Sequence, residues 1–160
     1  MLRPVALLVV LVTAAPGAAG TMFRLEIGPP VAAGTGSTVT KQFKTNVVLV
    51  VRPRGCDAPG RVQVSGTAEG LVDGARQSIP LNLIPVDPVA GVYAALQQWP
   101  DRGHWVLQLN GSCPGPKASA STLVPMNGST FIRDKTQVLG EPATHQQVDA
   151  ALAALVRSQP

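Results

Sequence analysis

Apolar residues along this chain come in short runs and alternations, and only the carboxy-terminal tail shows the 3.6-residue spacing of a helix. Phe23, Leu25 and Ile27 alternate with Arg24 and Glu26, which predicts a first strand with one face on a core, ended by Pro29-Pro30. A Gly/Ser/Thr linker, Gly34 to Thr38, leads to Val47-Val48-Leu49-Val50-Val51, an unbroken run that fits a central strand buried on both faces. Val62, Val64 and Ala68 then alternate with Arg61, Gln63 and Ser65, and Ile79, Leu81 and Leu83 alternate with Ser78, Pro80 and Asn82. Between these two strands Asp73-Gly74 predicts a tight hairpin, because both residues tolerate positive φ. Pro80 offers no amide hydrogen, so its strand belongs at a sheet edge or turns that nitrogen to solvent.

The second half continues the pattern. Asp87-Pro88 to Leu96 reads as a turn and a strand; a polar turn follows, and then Trp105 to Leu109 as the next strand. Ser121 to Met126 predicts a further strand closed by the Asn127-Gly128 turn, and Phe131 to Leu139 is one more short strand or an irregular arm. In the tail, Thr144 and Gln147 have capping-box spacing, and Val148, Leu152, Leu155 and Val156 make an apolar stripe. A helix this short is marginal alone, so the stripe docks on the sheets or binds a partner, and docking is the simpler expectation. The expected fold is therefore all-β, an antiparallel sandwich with a short C-terminal α-helix.

Composition narrows the class. The 160 residues suffice for one domain, and 16 Gly with 15 Pro argue against a helical bundle. Only 14% of residues are charged, against roughly 25% in an average soluble domain. Thirteen Lys and Arg against nine Asp and Glu give +4, scattered with no basic run, so nucleic acid is not an expected partner.

The amino terminus has the three parts of a secretory leader in order: Arg3, the apolar run Val5 to Val12, and the small residues Ala14 to Gly20 around Pro16. Cleavage is expected after Ala19 or, preferably, Gly20. The apolar run is far shorter than the roughly 20 residues that span hydrocarbon. Export predicts a periplasmic or secreted protein, and an oxidising compartment makes Cys56 and Cys113 a disulfide. Each lies in a Gly/Pro-rich turn a few residues past an apolar segment, so the bridge is expected to staple one end of the domain. The expected organisation is a signal peptide over 1–20, a sandwich over 21–126, and an arm with a helix over 127–160.

Gly91-x-Tyr93 followed by Gly103-x-Trp105 resembles the exported bacterial immunoglobulin-like β-sandwich domains of the YtkA/FixH sort. The resemblance covers about a quarter of the processed chain and marks an architecture, not an activity. It implies about seven strands, with Tyr93 in a tyrosine-corner role, its hydroxyl bonded to nearby backbone. Neither cysteine falls two residues after Tyr93, so the bridge is not expected to be the inter-sheet disulfide of antibody domains.

Chemistry is sparse. His104 and His145 have no His-x-His or Met-x-x-Met company, and Met22 offers one thioether near the expected new terminus, a thin basis for the alternative of a copper- or small-ligand-handling carrier. Ser65, Ser112 and Ser129 stand outside any Gly-x-Ser-x-Gly, and Glu69 with Asp73 reads as a solvated turn pair, so a small hydrolase with a loop-assembled site is a third alternative. Asn110-Gly111-Ser112 and Asn127-Gly128-Ser129 match the glycosylation pattern but also mark turns. No cofactor, metal site or catalytic residue is expected. Trp99, Arg102 and His104 around the polar turn are the candidate partner-binding residues, since an aromatic beside an Arg at an exposed tip is what interface anchors look like; the alternative, slightly preferred for Trp99, is that it covers one open end of the sandwich, and alternation places Trp105 in the core. The expected function is an exported, non-enzymatic interaction module for a protein partner.

Overall fold

The computed structural model describes residues 22–30, 46–115 and 118–158; the leader and the Gly34 to Thr38 linker lie outside them. Among the described residues ten strands and one α-helix follow in order: β1 (Arg24–Gly28), β2 (Val47–Arg54), β3 (Gln63–Val72), β4 (Ala75–Pro80), β5 (Leu83–Pro85), β6 (Tyr93–Leu96), β7 (His104–Cys113), β8 (Ala118–Asn127), β9 (Thr130–Phe131), β10 (Gln137–Leu139) and α1 (His145–Ser158). Seven of the strands have four or more residues, and β5, β9 and β10 are shorter. All pairings are antiparallel.

The strands form a four-stranded sheet ordered β1-β2-β6-β5 and a six-stranded sheet ordered β10-β8-β7-β3-β4, with β9 also on β8. In chain order the first eight strands occupy the immunoglobulin positions A, B, C, C′, D, E, F and G, so the ABED and GFC sheets of that sandwich are both present. The core between the sheets holds Leu25, Leu49, Val51, Trp105, Leu107, Leu109 and Val124.

Local sequence explains most of this. Asp73 (φ 50°) and Gly74 (φ 78°) make the two-residue turn between β3 and β4, which match Val72 to Ala75. Strand β4 is an edge, as Pro80 requires. Strand β2 is central and buried on both sides: Val48, Leu49 and Val51 face the inner core, while Val50 packs outward with Val86 and Ala94. A register shift between Val47 and Leu49 allows two successive side chains, Val48 and Leu49, to point inward.

The structure corrects the single strand expected over Ser78 to Leu83. The Leu81 amide still donates to Gly66 O on β3, whereas the Asn82 carbonyl already accepts from the Leu96 amide at the end of β6. The chain therefore changes sheets between neighbouring residues. Alternation is blind to this switch because both sheets present the same core to the chain.

Strands β9 and β10 add to the open side of β8, and α1 lies across the outer face of β7 and β8. Val148, Ala151, Leu152 and Leu155 cover Val106 and Leu123, which explains why both strands are buried on two faces. The Thr144 amide donates to Gln147 Oε1 at 2.8 Å, and the Gln147 amide returns to Thr144 Oγ1 at 3.3 Å, a complete capping box. Val156, expected in the stripe, is 37% exposed at its margin.

The disulfide forms, with Cα atoms 5.9 Å apart, and staples one end of the domain as expected, but its relation to the two sheets corrects one expectation. Cys56 follows β2 and Cys113 ends β7, so the bridge joins the B and F positions across the two sheets after all, at their ends and not in mid-core. The sequence misled because Tyr93 lies on β6, the E position, and not on the strand that carries the second cysteine. Its hydroxyl donates to Val62 O at 2.8 Å, 31 residues upstream, and so ties the four-stranded sheet to the start of β3.

Candidate functional site

The turn between β6 and β7 is where Trp99 was expected either as an exposed anchor or as a cover over one end of the sandwich, and the structure shows the second. Trp99 is only 3% exposed and Trp105 2%. Their ring centroids lie 6.4 Å apart at a 37° tilt, an arrangement favoured between aromatic rings. Trp105 Nε1 donates to Arg102 O at 2.9 Å. A Cβ on Gly70 would come within 2.4 Å of the Trp105 ring, so β3 yields that space by having no side chain there. Gly103 (φ 88°) sits where a Cβ would meet Leu71 O at 2.7 Å, so no L side chain fits the entry to β7. Trp99 is thus core and not a partner anchor. With an aromatic content of 4%, the protein places both indoles where they close one end of the sandwich. Arg102 reaches Asp73 of the neighbouring hairpin at 3.1 Å, with both side chains largely exposed, and His104 opens β7 opposite Leu71.

The remaining candidates are scattered. Glu69 accepts from Ser78 Oγ at 2.6 Å and pairs with Arg76 at 3.3 Å, while Asp73 engages Arg102, so the two acids have separate partners. His145 begins α1, and Met22 precedes β1, 78% exposed. Among the described residues no group of three or more His, Cys, Asp or Glu is placed to hold a metal ion, and no helix is long and apolar enough to cross a membrane. Asn110 and Ser112 lie in β7, and Asn127 ends β8.

A charged surface that sequence reading missed lies on the β1–β2 ribbon. The antiparallel register sets Arg24 opposite Arg54 and Glu26 opposite Arg52, and the buried Leu25 between Arg24 and Glu26 sends both outward. Arg54 Nε donates to Glu26 Oε2 at 2.6 Å. That hydrogen bond, with the charges of Arg54, Arg52 and Arg24, holds the Glu26 carboxyl below its ordinary value against a smaller opposing effect of burial. A Cβ on Gly28 would come 2.8 Å from the Arg52 guanidinium, so Gly28 leaves the space that side chain occupies. Like charges directly opposite across a ribbon are destabilising, and here one carboxylate stands among three cations. The only sequence signal was Arg at alternate positions in two strands, which became a cluster once the pairing was known.

This face borders an open seam of the sandwich. Strand β1 ends one sheet, while β9 and β10 line the corresponding edge of the other. Between them runs an open trough of about 270 Å³ lined by Arg24, Leu25, Glu26, Ile27, Phe131, Arg133, Thr136 and Val138. Arg133 lies over the Phe131 ring at 5.6 Å, and Val138 is 56% exposed. No family model, curated protein or solved structure matches the chain, so the site stands on its geometry.

Proposed function

We propose that the chain is an exported, non-enzymatic interaction module that binds a protein partner. The observation that carries this reading is the arginine face of the β1–β2 ribbon beside an open seam, where Arg24 and Arg54 are exposed. A disulfide joining the two sheets supports life in an oxidising compartment, as do the leader pattern and the Gly91-x-Tyr93 and Gly103-x-Trp105 strands of the exported YtkA/FixH-like domains. A sandwich of this kind supplies a rigid frame on which edges and end loops do the binding.

The test is a native mass spectrum of the protein from the exported fraction of its own host, without and with reductant. The expected result is a chain beginning near Thr21, two hydrogens lighter than the reduced form, in complex with a second protein. A monomer with a bound metal would overturn the reading in favour of a carrier, and a retained leader with free thiols would overturn export.

A further inference from the structure

Strand β4 is an open edge of the six-stranded sheet, and the direction of its backbone groups follows from the hairpin. Asp73 and Gly74 close the turn on Val72 and Ala75, so that pair exchanges both ladder hydrogen bonds, and so do the alternate pairs Gly70 with Gln77 and Ala68 with Ile79. The Leu81 amide, donating to Gly66 O at 2.9 Å, continues the same alternation. The amides and carbonyls of Arg76 and Ser78 and the carbonyl of Pro80 therefore point away from β3. All three residues are exposed, and β3 is the only strand paired with β4. Among the described residues none of these backbone groups has a hydrogen-bond partner. Pro80 gives up no ladder bond here, because its nitrogen lies on the open side.

Sheet edges are ordinarily blunted by charge, by a bulge or by cover. The β3–β4 register runs from Val72 with Ala75 to Thr67 with Pro80 without a bulge. Arg76 carries the only charge on β4, and Glu69 with Asp149 of α1 draws its side chain onto the outer face of the sheet, matched within its own chain. An acidic or basic segment thus finds no unmatched charge along this edge to select it. A second copy needs none, because an edge paired antiparallel with itself meets its own donors and acceptors in reverse order.

We propose that β4 pairs antiparallel with β4 of a second copy about a two-fold axis at Ser78, joining the larger sheets of the two chains into one. In this register Ser78 exchanges both hydrogen bonds with Ser78 of the copy, and each Arg76 amide donates to the Pro80 carbonyl of the other chain. The position without an amide is asked only for its oxygen. Setting Arg76 opposite Ser78 would form as many bonds but bring the two arginines to diagonal positions, where like charges repel, so charge selects the register centred on Ser78. The contact is small, and the dimer belongs to the weak class that forms at high concentration. This inference goes beyond the interaction-module reading, since it leaves the arginine face on the other sheet to a different protein.

The test compares disulfide-bonded, processed protein at about 10 μM and about 1 mM. Sedimentation equilibrium should show the mass rising toward that of a dimer. Amide exchange at Arg76 and Ser78 should slow about threefold or more in the concentrated sample, while Gln77 and Ile79, already bonded to β3, stay unchanged. Ser78→Lys sets two ammonium groups face to face at the axis and should weaken the dimer about tenfold or more at low salt, with the thermal midpoint of the dilute protein unchanged. Ser78→Thr, which keeps the hydroxyl, should dimerise as the wild type does. A monomer at about 1 mM would overturn the proposal. So would a dimer that Ser78→Lys leaves intact or in which the Arg76 and Ser78 amides gain no protection, since it uses another surface. Protection of those amides only by a different protein of the host would give the edge to a foreign strand and equally overturn it. The module reading survives each of these results, whereas absence of any host complex would sink that reading and leave the dimer standing.

Discussion

The outer faces of the two sheets are finished in opposite ways. On the six-stranded sheet β7 and β8 present Val106 and Leu123, and the chain folds its own helix over them. On the four-stranded sheet a small apolar patch, Val50 with Val86 and Ala94, is covered by the segment leading to β6, and beyond it β1 and β2 present Arg24, Arg52 and Arg54. Apolar surface costs free energy in water and so recruits cover from within the chain, about 25 cal/mol for each Å² hidden. Charged surface is content with solvent until a partner offers the opposite charge. What separates the face that the chain covers itself from the face that it leaves charged is thus the side-chain chemistry at alternate strand positions.

The disulfide is the tie between the two sheets, and its loss is the largest effect expected. Cys56→Ser with Cys113→Ser releases a constraint over 57 residues, which the chain-entropy model values at about 4 kcal/mol. Urea unfolding of the double variant should show a lower midpoint, and reductant should have no further effect on it. Next in size is the helix-covered face. Leu152→Ala empties a site that is only 4% exposed and should cost about 3 kcal/mol, while Arg24→Ala on the uncovered face should change stability by less than about 0.5 kcal/mol. If both substitutions cost the same, the contrast between the two faces is wrong.

A smaller effect tests how the cover is attached. Thr144 and Gln147 exchange two hydrogen bonds at the first turn of α1, and Thr144→Ala should cost about 1 kcal/mol. Faster amide exchange at Gln147 and Val148, with exchange in β7 unchanged, is the expected signature.

Alternation made the sandwich legible in the sequence, and so did turn chemistry at Asp73-Gly74 and the capping pair Thr144 and Gln147, because each is set by residues close in the chain. Strand β2 was legible because a run of apolar residues without a polar face has only one place in a sheet. The sheet switch at Leu81 and Asn82 was not, since the core side stays apolar through it. Trp99 was left between two places for a related reason: a turn can fold its large side chain back over an open end, and nothing local distinguishes that from an exposed tip. The arginine face was invisible because Arg24 and Arg54 are 30 positions apart in a chain with no basic run, and only the β1–β2 register sets them side by side.

The least effect on stability comes from Glu26, and it sharpens the comparison most. Its folded-state pKa is lowered below the ordinary 4.5, chiefly by the hydrogen bond from Arg54 and then by the charges of Arg54, Arg52 and Arg24. A depressed carboxyl contributes stability that is fully present above the unfolded value and is lost as pH falls through the folded one. Because both side chains of the pair are about half exposed, that contribution is under about 1 kcal/mol and shrinks in high salt. Glu26→Gln should therefore match the wild type in acid and fall slightly below it at neutral pH, as read from unfolding midpoints between about pH 3 and pH 7. The same variant removes the one carboxylate from among three arginines, so at neutral pH and low salt the arginine face should bind a Glu-rich peptide more tightly than that of the wild type does. Stability and affinity would then move in opposite directions from one substitution, as expected of a face whose excess charge is open to solvent; a variant that lost both would place Glu26 in the frame of the fold instead.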